Sequence, residues 1–274
     1  MPELPEVETV SRTLRELVIG KKIAEVDVRW ANIIKKPDDV EQFKLELMGQ
    51  TIHEVNRRGK FLLFVLDDIT MVSHLRMEGR YGLFSKTCEL TPHTHVVFRF
   101  TDETELRYQD VRKFGTMHLF KKGTEEESLP LLQLGVEPFS EDFTIELLRD
   151  AFHKTTRSIK VVLLDQKTVV GLGNIYVDEA LFRSGIHPER IASSLSMEEY
   201  TRLHEAIVST LQEAVDLGGS SVKSYVNGQG EMGMFQQQLN VYGRKGEACK
   251  NCGQDISKTV VGGRGTHFCT NCQK

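Results

Sequence analysis

The chain has 274 residues, 39% of them hydrophobic and 27% charged, a composition typical of a globular protein long enough for two domains. Its longest apolar run, Phe61 to Leu66, is far too short to cross a bilayer, and no basic segment followed by an apolar one opens the chain. These features argue against a membrane or secreted protein, so we expect a cytoplasmic one.

The net charge of −4 does not favour a nucleic-acid partner, but the charge is unevenly distributed. Residues 123–150 contain eight acidic residues and one basic residue, whereas residues 218–274 contain seven basic and three acidic residues. The basic C-terminal part therefore permits DNA binding without requiring it.

The chain begins MPELPEVE, which places a proline directly after the initiating methionine. Removal of Met1 would expose Pro2 as a secondary amine, and such an amine can attack a sugar carbon to form an electron-withdrawing iminium. Glu3 beside it could move protons. The alternative is that Pro2 and Pro5 only begin a helix whose dipole the acidic residues complement.

Apolar residues recur every three or four positions between Pro5 and Ile19, which predicts a helix that ends at Gly20. Short segments with β character follow, and a second helix is predicted between Asp38 and Met48. The predicted strands are 24–30, 61–66, 71–77, 95–100 and 117–120. Strands so short and so numerous favour a β-sandwich or barrel.

Residues 123–141 are rich in proline, glycine and acidic side chains, as interdomain linkers are. Helical spacing returns after them and predicts a helical bundle. The predicted helices are 143–152, 158–164, 175–184 and 197–217. The glycine-rich segment 218–233 is typical of a functional loop or of disorder.

Two Cys-x-x-Cys pairs near the C-terminus are separated by 16 residues. They consist of Cys249, Cys252, Cys269 and Cys272. Two such knuckles complete a tetrahedral Zn²⁺ shell with no open position, so we expect one structural zinc ion in a small hairpin. The hairpin turn carries Arg264 between glycines, where it could approach a phosphate or could be a solvated turn residue.

Three further motifs have open interpretations. Gly171 to Asn174 could offer backbone N–H groups to a phosphate, with Asn174 as the N-cap of the helix that begins at Ile175, or could be a cap alone. Arg57 to Lys60 could be a phosphate site or an exposed turn. The remaining histidines that stand out, His93, His95 and His204, are interpreted from sequence as structural or surface residues.

Six segments, in order along the whole chain, resemble the bacterial formamidopyrimidine-DNA glycosylase family. They are PELPEVET at 2–9, RRGK at 57–60, SHLRM at 73–77, DVRKFG at 110–115, GNIY at 173–176 and the four-cysteine hairpin. The chain departs from the family pattern at Thr270, where proline usually follows the third cysteine, and at Gly265, where serine is common. Neither departure removes a zinc ligand.

The resemblance implies an α+β multidomain protein. It implies an N-terminal β-sandwich with flanking helices at 1–122, a linker at 123–141, and a helix-two-turn-helix domain at 142–238 whose lesion-recognition loop is 218–238. A four-cysteine zinc-finger β-hairpin occupies 239–274. The implied protein is a monomer that acts on double-stranded DNA.

The implied activity is that of a bifunctional DNA glycosylase and AP lyase in base-excision repair, removing 8-oxoguanine and formamidopyrimidines opposite cytosine. Pro2 matches the nucleophile of the family, Glu3 the residue that assists protonation and ring opening, and Lys60 and Arg264 the remaining catalytic residues. The residues that match DNA contacts are His74, Met77, His93, Arg112, Phe114, Asn174, Tyr242 and Lys258. Within this set Met77, Arg112 and Phe114 fill the gap left by an extruded base.

Two other functions remain open. The related endonuclease VIII type prefers oxidised pyrimidines, but Leu4 in place of glycine, the Met77, Arg112 and Phe114 set, and the glycine-rich loop favour the purine enzyme. If the protein were a non-catalytic zinc-finger DNA-binding protein, Pro2, Glu3 and Lys60 would have no shared function.

Overall fold

The structure, a computed structural model, describes residues 1–220 and 233–274. The chain forms two compact units. The first contains Met1–Pro2, Glu6–Leu132 and the described residues of Ser220–Gly233, and the second contains Glu3–Pro5, Gln133–Gly219 and Met234–Lys274. Residues 221–232, the centre of the predicted lesion-recognition loop, lie outside the described residues.

Helix α1 spans Leu4–Val18, as the apolar spacing predicted. The apolar stripe of its long C-terminal part, Val7, Val10, Leu14 and Val18, is fully buried in the core of the first unit. A second helix, α2, spans Val40–Leu47, and its N-cap Asp39 accepts the backbone N–H of Glu41. Both helices contribute side chains to one apolar core.

Two β-sheets provide the rest of that core. Strands β1 to β9 span Ile23–Val28, Ile34–Lys36, Glu54–Arg58, Phe61–Val65, Ile69–His74, Arg80–Ser85, Thr94–Phe100, Thr104–Gln109 and Thr116–Lys121. One sheet has the order β1-β7-β8-β6 and the other β2-β9-β5-β4-β3. Neighbouring strands are antiparallel except for the β2 and β9 pair. Because residues of both sheets share one core, the predicted β-sandwich is confirmed.

The second unit contains four helices, α3 Ile145–Phe152, α4 Ile159–Leu164, α5 Asn174–Ser184 and α6 Met197–Asp216. All four were predicted from apolar spacing. Helix α6 begins with a capping box in which Ser196 and Glu199 satisfy each other's backbone N–H groups. Helix α5 packs between α4 and α6 and is buried along most of its length.

The C-terminal hairpin pairs β10, Ser257–Val261, with β11, Arg264–Phe268, in antiparallel register. Its turn, Gly262-Gly263, has φ angles of 56° and 75°, which glycine adopts without a steric penalty. The hairpin base packs on α5 through an apolar cluster that includes Phe182, Val241 and Ile256. No helix in the two described ranges is long and apolar enough to span a bilayer.

Candidate functional site

The second residue of the predicted catalytic pair, Glu3, is buried at the N-terminal end of α5, with 3% of its surface exposed. Its carboxylate accepts the backbone N–H groups of Gly173 at 2.7 Å, Ile175 at 3.0 Å and Tyr176 at 3.3 Å. A carboxylate is stabilised there by the unpaired N–H groups and by the helix dipole. Glu3 is therefore fixed within the second unit, one peptide bond after Pro2, which is itself buried.

This arrangement corrects two predictions about the Gly171 to Asn174 segment. The N-cap of α5 is Gly173 and not Asn174, and no side chain of the local sequence caps the helix. Of the N–H groups expected to face a phosphate, that of Gly173 instead binds Glu3, and that of Gly171 binds the Gln166 side chain. Glycine is required at 173 because a Cβ atom there would lie 2.3 Å from Cδ of Glu3.

The loop before α5 also holds Leu4. The Leu4 N–H donates to the Gly171 carbonyl at 3.0 Å. The Gln166 side chain accepts the Gly171 N–H at 2.8 Å and donates to the Leu172 carbonyl at 2.7 Å. The two residues that follow Pro2 are thus both held in the second unit, Glu3 through its side chain and Leu4 through its backbone.

The Asn174 side chain points towards the hairpin. Its Nδ2 donates to the carbonyl of Gly265 at 2.8 Å, directly after Arg264. Tyr242 interacts with Asn174; burial raises the pKa of the Tyr242 phenol, and the contact with Asn174 opposes that rise. Glu179 of α5 accepts the Tyr242 backbone N–H at 2.9 Å. The structure therefore brings Glu3, Asn174 and Tyr242 together with the Arg264 turn.

Arg264 and Lys258 lie on the two strands of the hairpin, and both are exposed. Arg264 opens β11 opposite Val261, and Lys258 lies opposite His267. A Cβ atom at Gly265 would lie 3.4 Å from Cε of Lys258, so the lysine covers the backbone beside Arg264. The hairpin thus presents two exposed cations, and exposed cations suit the binding of a phosphate backbone.

The four cysteines are gathered at the base of the hairpin. Their sulfur atoms all lie within 4.8 Å of one another, with Cys249 to Cys272 at 3.9 Å and Cys252 to Cys269 at 3.5 Å. Four thiolates at about 2.3 Å from one Zn²⁺ ion are separated by roughly 3.8 Å, so the spacing fits a closed tetrahedral site. The cysteines therefore form a structural site for one zinc ion.

In the first unit, the RRGK segment forms the turn between β3 and β4. Arg57 donates to Glu8 at 3.0 Å and to the Gly59 carbonyl at 3.0 Å. Burial opposes ionisation of Glu8, but the hydrogen bonds from Arg57 and Arg12 together lower its pKa. Lys60, at the end of the turn, is buried. Arg57 fixes the turn through its hydrogen bonds to Glu8 and to the Gly59 carbonyl. The exposed-turn interpretation is therefore wrong for Lys60.

His74 ends β5 and is buried against the edge of the Phe61 ring. Its Nδ1 accepts the backbone N–H of Arg76 at 2.9 Å, which places the ring proton on Nε2. Burial, with smaller contributions from the Arg76 and Lys60 charges, lowers the pKa of His74 to about 3. The imidazole is therefore a neutral hydrogen-bond donor at physiological pH.

The predicted gap-filling residues lie on two loops of the first unit, and all are exposed. Met77 follows β5 and is 37% exposed, and Phe114 is 52% exposed. The Arg112 guanidinium lies 4.8 Å from the centre of the Phe114 ring. Exposed apolar side chains beside a stacked arginine suit insertion between bases.

The loop of Arg112 and Phe114 is organised by one buried carboxylate. Asp110 accepts the N–H groups of Arg112, Phe114 and Gly115 at 2.8 to 3.0 Å. Its own N–H donates to the carbonyl of His93 at 3.0 Å, so His93, with an exposed side chain, borders the same loop.

Comparison with known proteins identifies the family. Sequence models of the formamidopyrimidine-DNA glycosylase N-terminal domain and H2TH domain match residues 1–117 and 134–226, and a model of the zinc finger found in FPG and IleRS matches 246–274. The formamidopyrimidine-DNA glycosylases of Cytobacillus firmus and Bacillus subtilis are 75% and 63% identical to this chain. Each alignment covers 100% of this chain, with 100% and 99% of the relative.

The chain belongs to the formamidopyrimidine-DNA glycosylase family. It is accordingly a DNA-repair enzyme, a DNA glycosylase with a zinc finger. A solved structure with the same fold is Lactococcus lactis Fpg in complex with DNA containing N7-benzyl-Fapy-dG, with a TM-score of 0.93, 43% identity and full coverage of both chains. The same L. lactis protein has been solved with abasic-site DNA, at a TM-score of 0.93, 43% identity and 99% coverage of each chain.

Several buried charged residues of this site were not predicted from sequence. Asp110 and Glu179 each accept several backbone N–H groups. Lys160 and Asp178 are both inaccessible to solvent. The one available signal was the presence of Lys160 within the apolar run Ile159 to Leu164, since a lone lysine there must find a buried partner.

Proposed function

We propose that this glycosylase removes oxidised purines, 8-oxoguanine and formamidopyrimidines, from duplex DNA through the amine of Pro2 after Met1 has been removed. The fixed position of Glu3 is the observation that carries the proposal. A carboxylate held by three N–H groups directly after Pro2 leaves the N-terminal nitrogen little freedom to move. We also propose the domain division that the family resemblance implies, with an N-terminal domain at 1–122, a linker at 123–141, a helix-two-turn-helix domain at 142–238 and a zinc finger at 239–274.

In the proposed reaction the Pro2 nitrogen attacks C1′ of the damaged nucleotide, and the bond from C1′ to the base breaks. The base leaves with the proton that the Pro2 amine loses, and the Glu3 carboxylate relays a proton from solvent to the sugar oxygen as the ring opens to an iminium. Loss of a C2′ proton expels the 3′ phosphate, and a second elimination expels the 5′ phosphate. Hydrolysis of the remaining iminium releases the sugar fragment and restores the amine.

The other residues would bind the DNA. Lys60, His74, Asn174 and Arg264 contact phosphates around the lesion, with support from Tyr242, Lys258 and His93. The neutral Nε2–H of His74 suits a phosphate oxygen, because it donates a hydrogen bond without carrying a buried charge. Met77 and Phe114 occupy the space of the extruded nucleotide, and Arg112 hydrogen-bonds the orphaned cytosine.

A second substrate class is supported by one comparison. L. lactis Fpg has also been solved with DNA that contains an oxidised pyrimidine, with a TM-score of 0.93 and 43% identity to this chain. We therefore propose oxidised pyrimidines as secondary substrates. A panel of duplexes with single lesions opposite cytosine should show faster excision of 8-oxoguanine and formamidopyrimidine than of oxidised pyrimidines under single-turnover conditions, and the reverse order would contradict the purine assignment.

The nucleophile is tested by blocking the N-terminus. Protein with an added N-terminal residue should bind lesion DNA but should neither nick it nor form a borohydride-stable adduct, since an amide nitrogen cannot attack C1′. A matched variant with an added C-terminal residue should retain both activities. Full trapping by the N-terminally extended protein, or an adduct mapped to Lys60 by mass spectrometry, would contradict the assignment of Pro2.

A further inference from the structure

Beneath the Arg264 turn, the second unit contains a fully buried ion pair. Nζ of Lys160 in α4 donates to Oδ1 of Asp178 in α5 at 2.6 Å, and both side chains have 0% exposure. Burying two charges is costly unless their remaining hydrogen-bonding groups are also satisfied. The further hydrogen bonds of Lys160 and Asp178 therefore indicate which part of the protein the ion pair holds in place.

Both members of the pair bind the backbone of β11. The second oxygen of Asp178 accepts the N–H of His267 at 2.8 Å, and Nζ of Lys160 donates to the carbonyl of Gly265 at 3.3 Å. The same carbonyl accepts Nδ2 of Asn174 at 2.8 Å. The strand that begins with Arg264 is thus fixed at two alternate residues, and one of them is shared with Asn174.

The Lys160 charge also interacts with the proposed catalytic groups. Burial lowers the pKa of the Lys160 ammonium, the Asp178 and Glu3 carboxylates oppose that change, and the Arg264 guanidinium adds to it. Lys160 is therefore close enough to both Glu3 and Arg264 for their charges to act on it. The Lys160 charge is thus influenced by both the carboxylate beside Pro2 and the arginine of the finger.

We propose that Lys160 and Asp178 are positioning residues that hold the Arg264 turn beside the N-terminal end of α5, so that Arg264 and Asn174 bind the same stretch of DNA backbone. This inference rests on the proposed phosphate contacts of those two residues. The competing explanation is that the pair only stabilises packing, because the turn also packs on α4, where a Cβ atom at Gly262 would lie 2.6 Å from Cγ2 of Val161.

A double-mutant cycle between Asp178 and Arg264 separates the two explanations. Asp178→Asn leaves one carbonyl oxygen where the carboxylate has two, so the side chain cannot accept from both Lys160 and His267. We expect it to weaken binding to a duplex with an uncleavable abasic-site analogue about tenfold, and less than about twofold when Arg264 is already alanine. Equal losses in the two backgrounds would overturn the inference.

The salt dependence of binding gives a second readout that a packing role would not change. Loss of one phosphate contact reduces the slope of log K against log salt concentration by roughly one. Asp178→Asn should reduce the slope by that amount, as Arg264→Ala should, and the double variant should show no further reduction. An unchanged slope in Asp178→Asn would also overturn the inference.

A charge-free pair controls for loss of stability. Asp178→Asn leaves the Lys160 charge uncompensated, whereas Lys160→Met combined with Asp178→Asn removes both charges, so its melting temperature should recover towards that of the parent. DNA binding should stay weak, because the Gly265 carbonyl has lost its lysine. Recovery of binding together with stability would support packing alone and overturn the proposal.

The exposed pair Arg183 and Glu213, which joins α5 to α6, provides the matched control. Arg183→Met with Glu213→Gln should leave both affinity and salt slope unchanged. If Arg264→Ala itself has no effect on DNA binding, the proposed function of Arg264 is wrong, and the positioning role that rests on it is overturned as well. If Arg264→Ala weakens binding but the cycle is additive, only the positioning role fails.

Discussion

At the scale of single residues, one carboxylate fixes the backbone next to the proposed nucleophile. Glu3 accepts three N–H groups from residues about 170 positions later in the chain. The chemistry of Pro2 could be predicted from the sequence, because a proline exposed by methionine removal has one distinctive reactivity. The cap could not be predicted, since nothing local marks Glu3 as the partner of α5.

Replacing this carboxylate tests its structural role. In Glu3→Gln the amide oxygen can accept N–H groups, but the amide NH₂ has to face backbone donors. We expect a loss of about 1–3 kcal/mol in the free energy of unfolding, the usual cost of leaving buried polar groups unpaired, together with a large fall in base excision. Urea titration and single-turnover excision measure the two effects.

Glu8→Gln is the matched control for that substitution, because Glu8 binds Arg57 and Arg12 and does not cap α5. It should affect stability without removing the α5 cap, so excision should be retained. Parental stability in Glu3→Gln would contradict the capping role.

The buried histidine predicts a pH dependence. Because the pKa of His74 is about 3 in the folded protein and near 6.5 when unfolded, the unfolded state binds one more proton between these values. Stability should therefore fall as the pH drops below 6.5. His74→Gln should reduce the slope of unfolding free energy against pH by up to about 1.4 kcal/mol per pH unit in this window.

The measurement is urea unfolding of parent and variant between pH 4 and 7.5, with the exposed His93→Gln as control. His118 remains in both proteins, and burial, with smaller contributions from nearby cations, lowers its pKa to about 4, so part of the slope should persist. Identical slopes in the parent and His74→Gln would contradict a buried neutral imidazole.

At the scale of secondary-structure elements, periodicity predicted helices better than strands. All six α-helices of the described residues were predicted, because each has an apolar stripe that packs on a core. Strand β8 was missed although Leu106 and Tyr108 alternate with polar residues on it, because two apolar residues are too few to identify a strand. Its polar residues Glu105, Arg107 and Gln109 are nevertheless buried, with Arg107 paired to Glu105 at 2.7 Å. The strand predicted at 71–77 was too long, since β5 ends at His74.

Two proposed recognition residues, Arg112 in a loop and Asn174 at the start of α5, predict a division of roles. Arg112→Ala should reduce discrimination in favour of cytosine opposite the lesion by about 1–3 kcal/mol, the contribution of a bidentate arginine contact to a base edge, with a smaller effect on general affinity. Asn174→Ala should weaken binding to all duplexes alike, since phosphate contacts carry no sequence information. Titration of duplexes with each base opposite the lesion measures both effects.

Lys113→Ala provides a control for the first loop, because its ammonium lies over the Trp30 ring and the loop backbone is held by Asp110. It should retain the selectivity of the parent. Equal losses of selectivity in Arg112→Ala and Asn174→Ala would contradict separate roles for base and phosphate contacts.

At the scale of the whole molecule, the proposed site residues are divided between the two units. Lys60, His74, Met77, Arg112 and Phe114 belong to the first unit, and Glu3, Asn174, Tyr242, Lys258 and Arg264 belong to the second. Sequence patterns predicted the order of domains along the chain. They did not predict that Glu3 to Pro5 would belong to the second unit, because that assignment depends on contacts with α5 and its preceding loop.

Removal of zinc should weaken DNA binding by the finger while the first unit stays folded. Cys269 is fully buried at the base of the hairpin, and a hairpin this small has too little core to keep its fold without the metal. Cys269→Ser should therefore lose its zinc and bind lesion DNA on the order of a hundredfold more weakly, because several phosphate contacts depend on the finger. The first unit has its own core and should stay folded.

Zinc analysis, circular dichroism and DNA titration measure these outcomes, with Cys88→Ser as the control for loss of a thiol outside the site. Chelated parent protein should behave like Cys269→Ser and should recover when zinc is restored, whereas the variant should not. Tight binding of lesion DNA by the metal-free protein would show that the finger does not depend on the metal.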